Sequence, residues 1–293
     1  MSVYLARAQT ATLVKNHAGA TDTLFMDQRF DEGELTGARF AHCTFANISF
    51  KGAELADCHF SNCVFEGCYF RGTLLKECHF PASRFIDCEF PKPSIFACGF
   101  GATRFRRSVP RFATMEPNLP GEPNLCRDLC ENLATEASAL GHEREARRYR
   151  LRAIEEHEEA LRRGYRWSDD YSRSKYPELE RVRAFFALCW SRASGWIWGH
   201  GEYIRRLFFN LVLLAVFIGP TMLYVARDHL HSDGPIGLGD YLALSVASTL
   251  NDSASSGVEA TGIALAIVLL LTASGLLFLG LFVTYVFRAV TRR

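Results

Sequence analysis

Residues 38–75 read ARF AHCTF ANISF KGAEL ADCHF SNCVF EGCYF RGTLL when broken after each large apolar residue. The period is five, and it extends in both directions. Seventeen consecutive fifth positions, from Phe25 to Phe105, are large and apolar. All are Phe except Leu35, Leu55, Leu75 and Ile95, which are themselves spaced by twenty. A five-residue repeat matches neither the 3.6-residue period of a helix nor the two-residue alternation of a strand. It fits a chain that turns a corner every five residues and points one side chain inward per side. The twenty-residue spacing then makes four sides per coil, with the aliphatic residues stacked on one of them.

The residue two before each large one follows the same rule. Cys58, Cys78 and Cys98 belong to one side, Cys43 and Cys63 to the next, Cys68 and Cys88 to the third. The aliphatic side has Gly33, Ala53, Thr73 and Pro93. This pattern resembles the pentapeptide-repeat family, whose right-handed quadrilateral β-helix carries a large residue at the centre of each pentapeptide. A single coil cannot bury its inward face, whereas stacked coils bury one continuous ladder. Seventeen repeats predict a little over four coils and a rod about 20 Å long at about 4.8 Å per coil. The repeat cysteines are expected to be free thiols filling the core, since thiols one coil apart lie beyond disulfide reach. Some relatives in the family mimic DNA through an acidic face. Residues 21–105 hold 11 acidic and 8 basic residues, too mild an imbalance for that role. With a net charge of +1 overall, no nucleic-acid partner is expected.

The remaining sequence divides the chain further. Residues 1–20 read as an N-terminal tail without the apolar core of a signal peptide. Residues 21–108 hold the β-helix, 109–195 an α-helical connector and 196–293 a two-span membrane domain. Pro110, Pro117, Pro120 and Pro123 mark the linker. Helices are expected over 124–140 and 142–164, broken at Gly141. The second has charges of both signs and a thin apolar stripe through Tyr149, Ala153 and Leu161, as a solvated, salt-bridged helix has. A third, from near Pro177, places Leu179, Val182, Phe186 and Trp190 on one face. Residues 195–206, GWIWGHGEYIRR, combine Trp196 and Trp198 with Arg205 and Arg206, as a water–lipid boundary favours.

Residues 207–226 and 262–287 are uncharged apolar runs. Each is long enough for a hydrocarbon core about 30 Å thick. Arg205 and Arg206 precede the first; Arg288, Arg292 and Arg293 follow the second; the stretch 227–261 has one Arg. The positive-inside rule predicts a multi-pass protein of a bacterial-type inner or plasma membrane with both termini cytoplasmic. Asn210 and Thr221 are expected to face neighbouring helices.

Between the runs lies YLALSVASTL, residues 241–250, apolar but too short to cross, with Asp240 as a plausible N-cap. Helix, short re-entrant helix, polar loop, helix is the plan of the pore domain of two-span potassium-channel-like proteins. The resemblance covers about residues 203–293 and includes Ser245, Val246 and Thr249. It implies a homotetramer around one pore, a filter after the short helix, and a hinge glycine at Gly275 or Gly280. Aligned on Thr249, the filter stretch is Thr249, Leu250, Asn251, Asp252 and Ser253, without the two glycines of the potassium filter. A carbonyl ladder needs those glycines, so potassium selectivity is not expected. A wider opening lined by Thr249, Asn251 and Asp252, with Glu259 in the outer vestibule, suits a weakly selective cation pore. His229 and His231 lack a third ligand for a metal.

The expected partners are the lipid bilayer, further copies of the chain, a permeant cation and an unassigned ligand of the rod. No cofactor is expected. The absence of a catalytic triad, phosphate loop or metal cluster argues against an enzyme. The other reading is a membrane-anchored repeat scaffold without conductance.

Overall fold

The computed structural model describes residues 9–10, 12–13, 18–166, 178–201, 203–232, 234–252 and 258–291. The chain divides into two compact units, Met1–Phe185 and Phe186–Arg293.

The first unit begins with a β-solenoid of about four turns. Its strands pair in parallel with a register of twenty residues: Phe25 opposite Phe45, Phe45 opposite Phe65, Leu55 opposite Leu75, Phe40 opposite Phe60. Three sides are sheets of six, four and three strands. The fourth is a column of single bridges, Arg29 to Ser49 to Tyr69 to Glu89.

Corners form two residues after each large one. Asp27, Glu32, Asn47, Asp57, Asn62 and Asp87 all take a left-handed backbone there. That conformation disfavours a residue with a Cβ. It is sustained because each corner amide donates to a carbonyl of the next coil, as Asp27 N does to Ala46 O and Asn47 N to Glu66 O.

The inward residues stack as the periodicity requires. Phe45, Phe65 and Phe85 stack nearly parallel, with centroids 4.8 Å apart at each step. Neighbouring columns meet edge to face, as Phe65 and Phe80 do. Both arrangements suit the ring quadrupole.

The small column does more than fill space. Cys68 Sγ donates to Phe45 O, Thr73 Oγ1 to Phe50 O, Cys78 Sγ to Leu55 O and Ser83 Oγ to Phe60 O. All reach the carbonyl 23 residues back. Burial pushes the Cys68 thiol up, with Cys88 adding to the shift. The thiol therefore stays protonated and acts as a donor.

Three helices close the C-terminal edge of the solenoid. α1 is Phe112–Met115, α2 Pro123–Ala139 and α3 Glu143–Arg166. The α2–α3 turn passes through Gly141 at φ +76°, at the position expected of the helix break. An open solenoid edge leaves backbone groups unpaired, and here side chains stand in for a further coil. Asn118 accepts from Cys98 N and donates to Ile95 O. Asn132 both accepts from and donates to the Phe105 backbone. Glu136 takes Arg107 N and Glu145 takes Phe112 N. The Phe core continues into Leu129, Leu133 and Tyr149, whose hydroxyl donates to Pro110 O. α3 also carries Arg152–Glu156 and Arg163–Glu159 ion pairs; Glu156 is mostly covered, and Arg152 reaches Cys126 on α2.

The second unit contains most of α4 (Glu178–Trp198), then α5 (Ile204–Val225), α6 (Leu238–Thr249) and α7 (Gly262–Thr291). Its core packs Leu223, Tyr241, Leu244, Ala264, Val268 and Leu271.

Candidate functional site

α5 and the Gly262–Phe287 part of α7 are long and apolar enough to cross a membrane. Only 22% of each apolar stretch is buried within the protein. A core helix of a water-soluble protein would be mostly covered. Large side chains such as Phe209, Phe217, Leu269 and Leu277 instead point outward.

α5 is irregular for a traceable reason. Leu213–Ile218 is wound as a π-helix, and Gly219 N bonds to Leu214 O, five residues back. The next residue, Pro220, has no N–H to give. In the same register its partner would be Ala215 O. That carbonyl receives the hydroxyl of Ser245 from α6 instead, at 2.7 Å in a buried position.

α6 is fastened on its other side to α7. A Cβ on Gly275 would lie 1.8 Å from Thr249 O, so only glycine permits the approach. Gly275 is thirteen residues into α7, about 20 Å along its axis. The twelve-residue α6 therefore ends level with the middle of α7 rather than crossing beside it.

Its two ends differ from expectation at one point. Asp240 is not the N-cap. Gly237 is, and Asp240, three residues later, accepts Gly237 N through Oδ2. Asp240 thus shields the start of α6 from inside its first turn, where an acidic group is favoured.

At the other end, Thr249 is buried and its hydroxyl bonds to Ser245 O. Asn251 is left-handed, with φ 65°. Asn251 N returns to Ser248 O and Asp252 N to Ala247 O. This is a Schellman turn, which Asn tolerates better than most residues. Residues 249–252 hence terminate α6. Leu250, Asn251 and Asp252 are exposed. Ser253 lies outside the described residues.

Below the turn is an apolar cavity of about 290 Å³, lined by Leu207, Leu211, Thr249, Asn251, Leu276 and Leu279 among others. Gly280 has open space where a side chain would be. α7 is continuous through both glycines.

The loop ends are clipped together by an antiparallel pair, Leu230–His231 with Glu259–Ala260, which sets Glu259 opposite His231. Among the described residues no three His, Cys, Asp or Glu side chains are grouped to hold a metal ion.

Asn210 is buried and donates to Trp196 O and Ile197 O, closing the C-terminal end of α4. Thr221, by contrast, bonds its own helix at Phe217 O and is exposed. A hydroxyl four residues on can always reach back within a helix, so a neighbouring helix is not required there.

Residues 38–109 match the model of the pentapeptide repeat region. The chain carries a pentapeptide-repeat domain. No curated protein matches the chain. Among solved structures, similarity is found to HetL, a pentapeptide repeat protein involved in heterocyst differentiation regulation from the cyanobacterium Nostoc sp. strain PCC 7120. That match has 10% identity and a TM-score of 0.25, covering 33% of this chain and 44% of HetL. The chain thus spans less than half the length of that relative. It is also similar to QnrB1, a plasmid-mediated fluoroquinolone resistance protein, at 13% identity and a TM-score of 0.19, covering 34% of this chain and 76% of QnrB1. The match to the pentapeptide-repeat model stops at residue 109, before α1.

Two relationships escaped sequence reasoning. The Ser245–Ala215 bond needs the π-helical register of α5, of which Pro220 is the visible trace. The Gly275–Thr249 contact needs the depth of α6, which no local pattern encodes.

Proposed function

We propose that the chain is an integral membrane protein whose α5–α6–α7 unit is one quarter of a homotetrameric, weakly selective cation channel, with the pentapeptide-repeat domain as a cytoplasmic regulatory module. The observation that carries this reading is the depth of α6. A short helix that enters beside α7, stops at mid-span and is held by Ser245 on one side and Gly275 on the other supports a re-entrant role. An anchor has no use for such an element.

The turn at Asn251 supports the absence of potassium selectivity. A Schellman turn at Thr249–Asp252 differs from the extended row of carbonyls that replaces a potassium hydration shell. Thr249, Asn251 and Asp252 would then line a short, wide constriction. Asp252 and Glu259, repeated by symmetry, would draw cations to the mouth. Gly280, with space around it, suits a hinge. Gly275 sits against the end of α6 and would pass any bend of α7 to the filter. No step of this reading requires enzymatic chemistry.

The test is ion flux through the purified full chain in liposomes, with reversal potentials under potassium, sodium and chloride gradients. A cation current that discriminates weakly between potassium and sodium is expected, with a tetrameric mass in detergent. Asp252→Asn should change conductance or selectivity without changing that mass. Silence combined with a monomeric mass would overturn the channel in favour of a membrane-anchored repeat scaffold.

A further inference from the structure

α2 holds the two buried cysteines that lie outside the repeats, Cys126 and Cys130. They sit one turn apart on the same face of the helix. The repeat thiols Cys68, Cys78 and Cys88 donate to carbonyls 23 residues back. Cys126 instead meets a cation, the guanidinium of Arg152 on α3. Arg152 is also held by Glu156 at 2.6 Å and Glu155 at 3.4 Å. Its side chain is 37% exposed. Cys126 is thus covered, yet in contact with a flexible side chain that itself reaches solvent.

The two thiols are not equivalent. A hydrogen bond with the Cys130 thiol lowers Cys126 below the ordinary thiol value, against the effect of burial; Glu156 opposes the lowering and Arg152 adds to it. The same hydrogen bond and burial raise Cys130. The pair therefore ionises at Cys126, with Cys130 as its protonated neighbour. A thiolate beside an arginine, with a second thiol at hand, is the setting of an oxidant-sensitive cysteine.

Helix geometry decides what oxidation does next. Residues four apart have Cα atoms about 6 Å from each other, inside the range of about 4.4–6.8 Å that a disulfide spans. Their Cβ atoms are about 5–6 Å apart, beyond the 3.5–4.5 Å or so that the bond requires. A bond between them forms only if this turn of α2 distorts. The same helix closes the solenoid: Asn132, two residues past Cys130, accepts from Phe105 N, and Glu136, one turn further, accepts from Arg107 N.

We propose that Cys126 is a site of oxidation by hydrogen peroxide, that Cys130 is its resolving thiol, and that the disulfide between them loosens the α2 closure of the solenoid. The Cys126 sulfur attacks one peroxide oxygen and the O–O bond breaks. The second oxygen leaves as water after taking a proton, and Cys126 becomes a sulfenic acid. The Cys130 sulfur then attacks the Cys126 sulfur. An S–S bond forms, the S–O bond breaks, and the hydroxyl leaves with the Cys130 proton as a second water. The two thiols lose two electrons and peroxide gains them. The proposal stands on the first unit alone and does not depend on ion conduction.

The test uses the full chain in a Cys189→Ser background, because Cys189 is the exposed cysteine. Protein in detergent is treated with hydrogen peroxide, alkylated in denaturant and digested with trypsin. Cleavage after Arg127 separates the two cysteines, so their disulfide appears in the mass spectrum as peptides 112–127 and 128–144 joined. This link should form several-fold faster than any among the repeat cysteines, and dithiothreitol should remove it. Cys130→Ser should leave a sulfenic acid at Cys126 that dimedone captures. Arg152→Gln should slow the link several-fold and Arg152→Lys should restore most of the rate. Hydrogen exchange at the Phe105 and Arg107 amides should rise several-fold on oxidation.

Cys126 still free after peroxide, or a link no faster than those of the repeat thiols, would overturn the site. Equal rates for wild type and Arg152→Gln would show that the cation does not activate the thiol, and would overturn it as well. A rapid link with unchanged exchange at Phe105 and Arg107 would overturn the coupling to the solenoid.

Discussion

The hydroxyl of Ser245 on α6 donates to the carbonyl of Ala215 on α5, the acceptor that the imino nitrogen of Pro220 cannot serve. The irregularity of one helix thus becomes the fastening point of another. A buried carbonyl without a donor costs about 1–3 kcal/mol, although cross-helix bonds in membranes average nearer 0.6 kcal/mol. Ser245→Ala should therefore destabilise the protein by about 1 kcal/mol in detergent unfolding. Pro220→Ala restores a backbone donor, so the double variant should lose less than Ser245→Ala alone. Strict additivity of the two changes would show that Pro220 is not the reason for the bond.

Gly275 and Gly280 make contrasting predictions. A side chain at 275 collides with Thr249 O, a backbone atom that cannot swing aside, whereas 280 has room. Gly275→Val should expel the end of α6 and lower thermal stability by several degrees. Gly280→Ala should leave stability unchanged or slightly raised, because α7 is helical there. Ion flux measured on the same two proteins separates packing from hinge motion: the first should lose flux with its stability, the second flux alone.

Asn118 is the last rung of the small-residue ladder. Its carboxamide accepts a hydrogen bond from Cys98 N at 2.8 Å and donates one to Ile95 O at 3.1 Å. Asn118→Leu would leave two buried backbone groups unpaired and should cost about 2–4 kcal/mol in urea unfolding of the repeat domain. Asn118→Asp keeps the acceptor but loses the donor, and should fall between the two. A change below half a kcal/mol for Asn118→Leu would mean that water caps the edge.

One ion pair sets an acid limb. The Arg107 guanidinium grips Asp87 through two nitrogens and holds its carboxyl below the usual carboxylate range. A group whose folded value is depressed stabilises the fold above its unfolded value and loses that contribution as pH falls through the folded one. The pair should therefore contribute at pH 7, begin to fade at about pH 4 and vanish only below the depressed folded value. Both side chains are more than two-fifths exposed, so screening keeps the effect small. Chemical unfolding of wild type and Asp87→Asn should differ slightly at neutral pH and coincide in acid.

The solenoid was legible residue by residue. Seventeen large side chains at five-residue spacing leave one way to bury them, and the twenty-residue subperiod sets the number of sides. Local sequence also reveals the α2–α3 hairpin at Gly141 and the two apolar helices, since each is decided by composition within a single segment. The closing of the solenoid edge was not legible. Asn118, Asn132 and Glu136 look like ordinary polar residues until the helices bring them against Cys98, Phe105 and Arg107. The same holds for the hairpin. Sequence marks α6 as too short to cross. Only the tertiary structure joins Ser245 to Ala215, sets Gly275 against Thr249 and ends α6 at a left-handed Asn251. These relationships depend on how deep one helix sits against two others, and depth is decided by contacts between segments remote in the chain, not by the pattern within any of them.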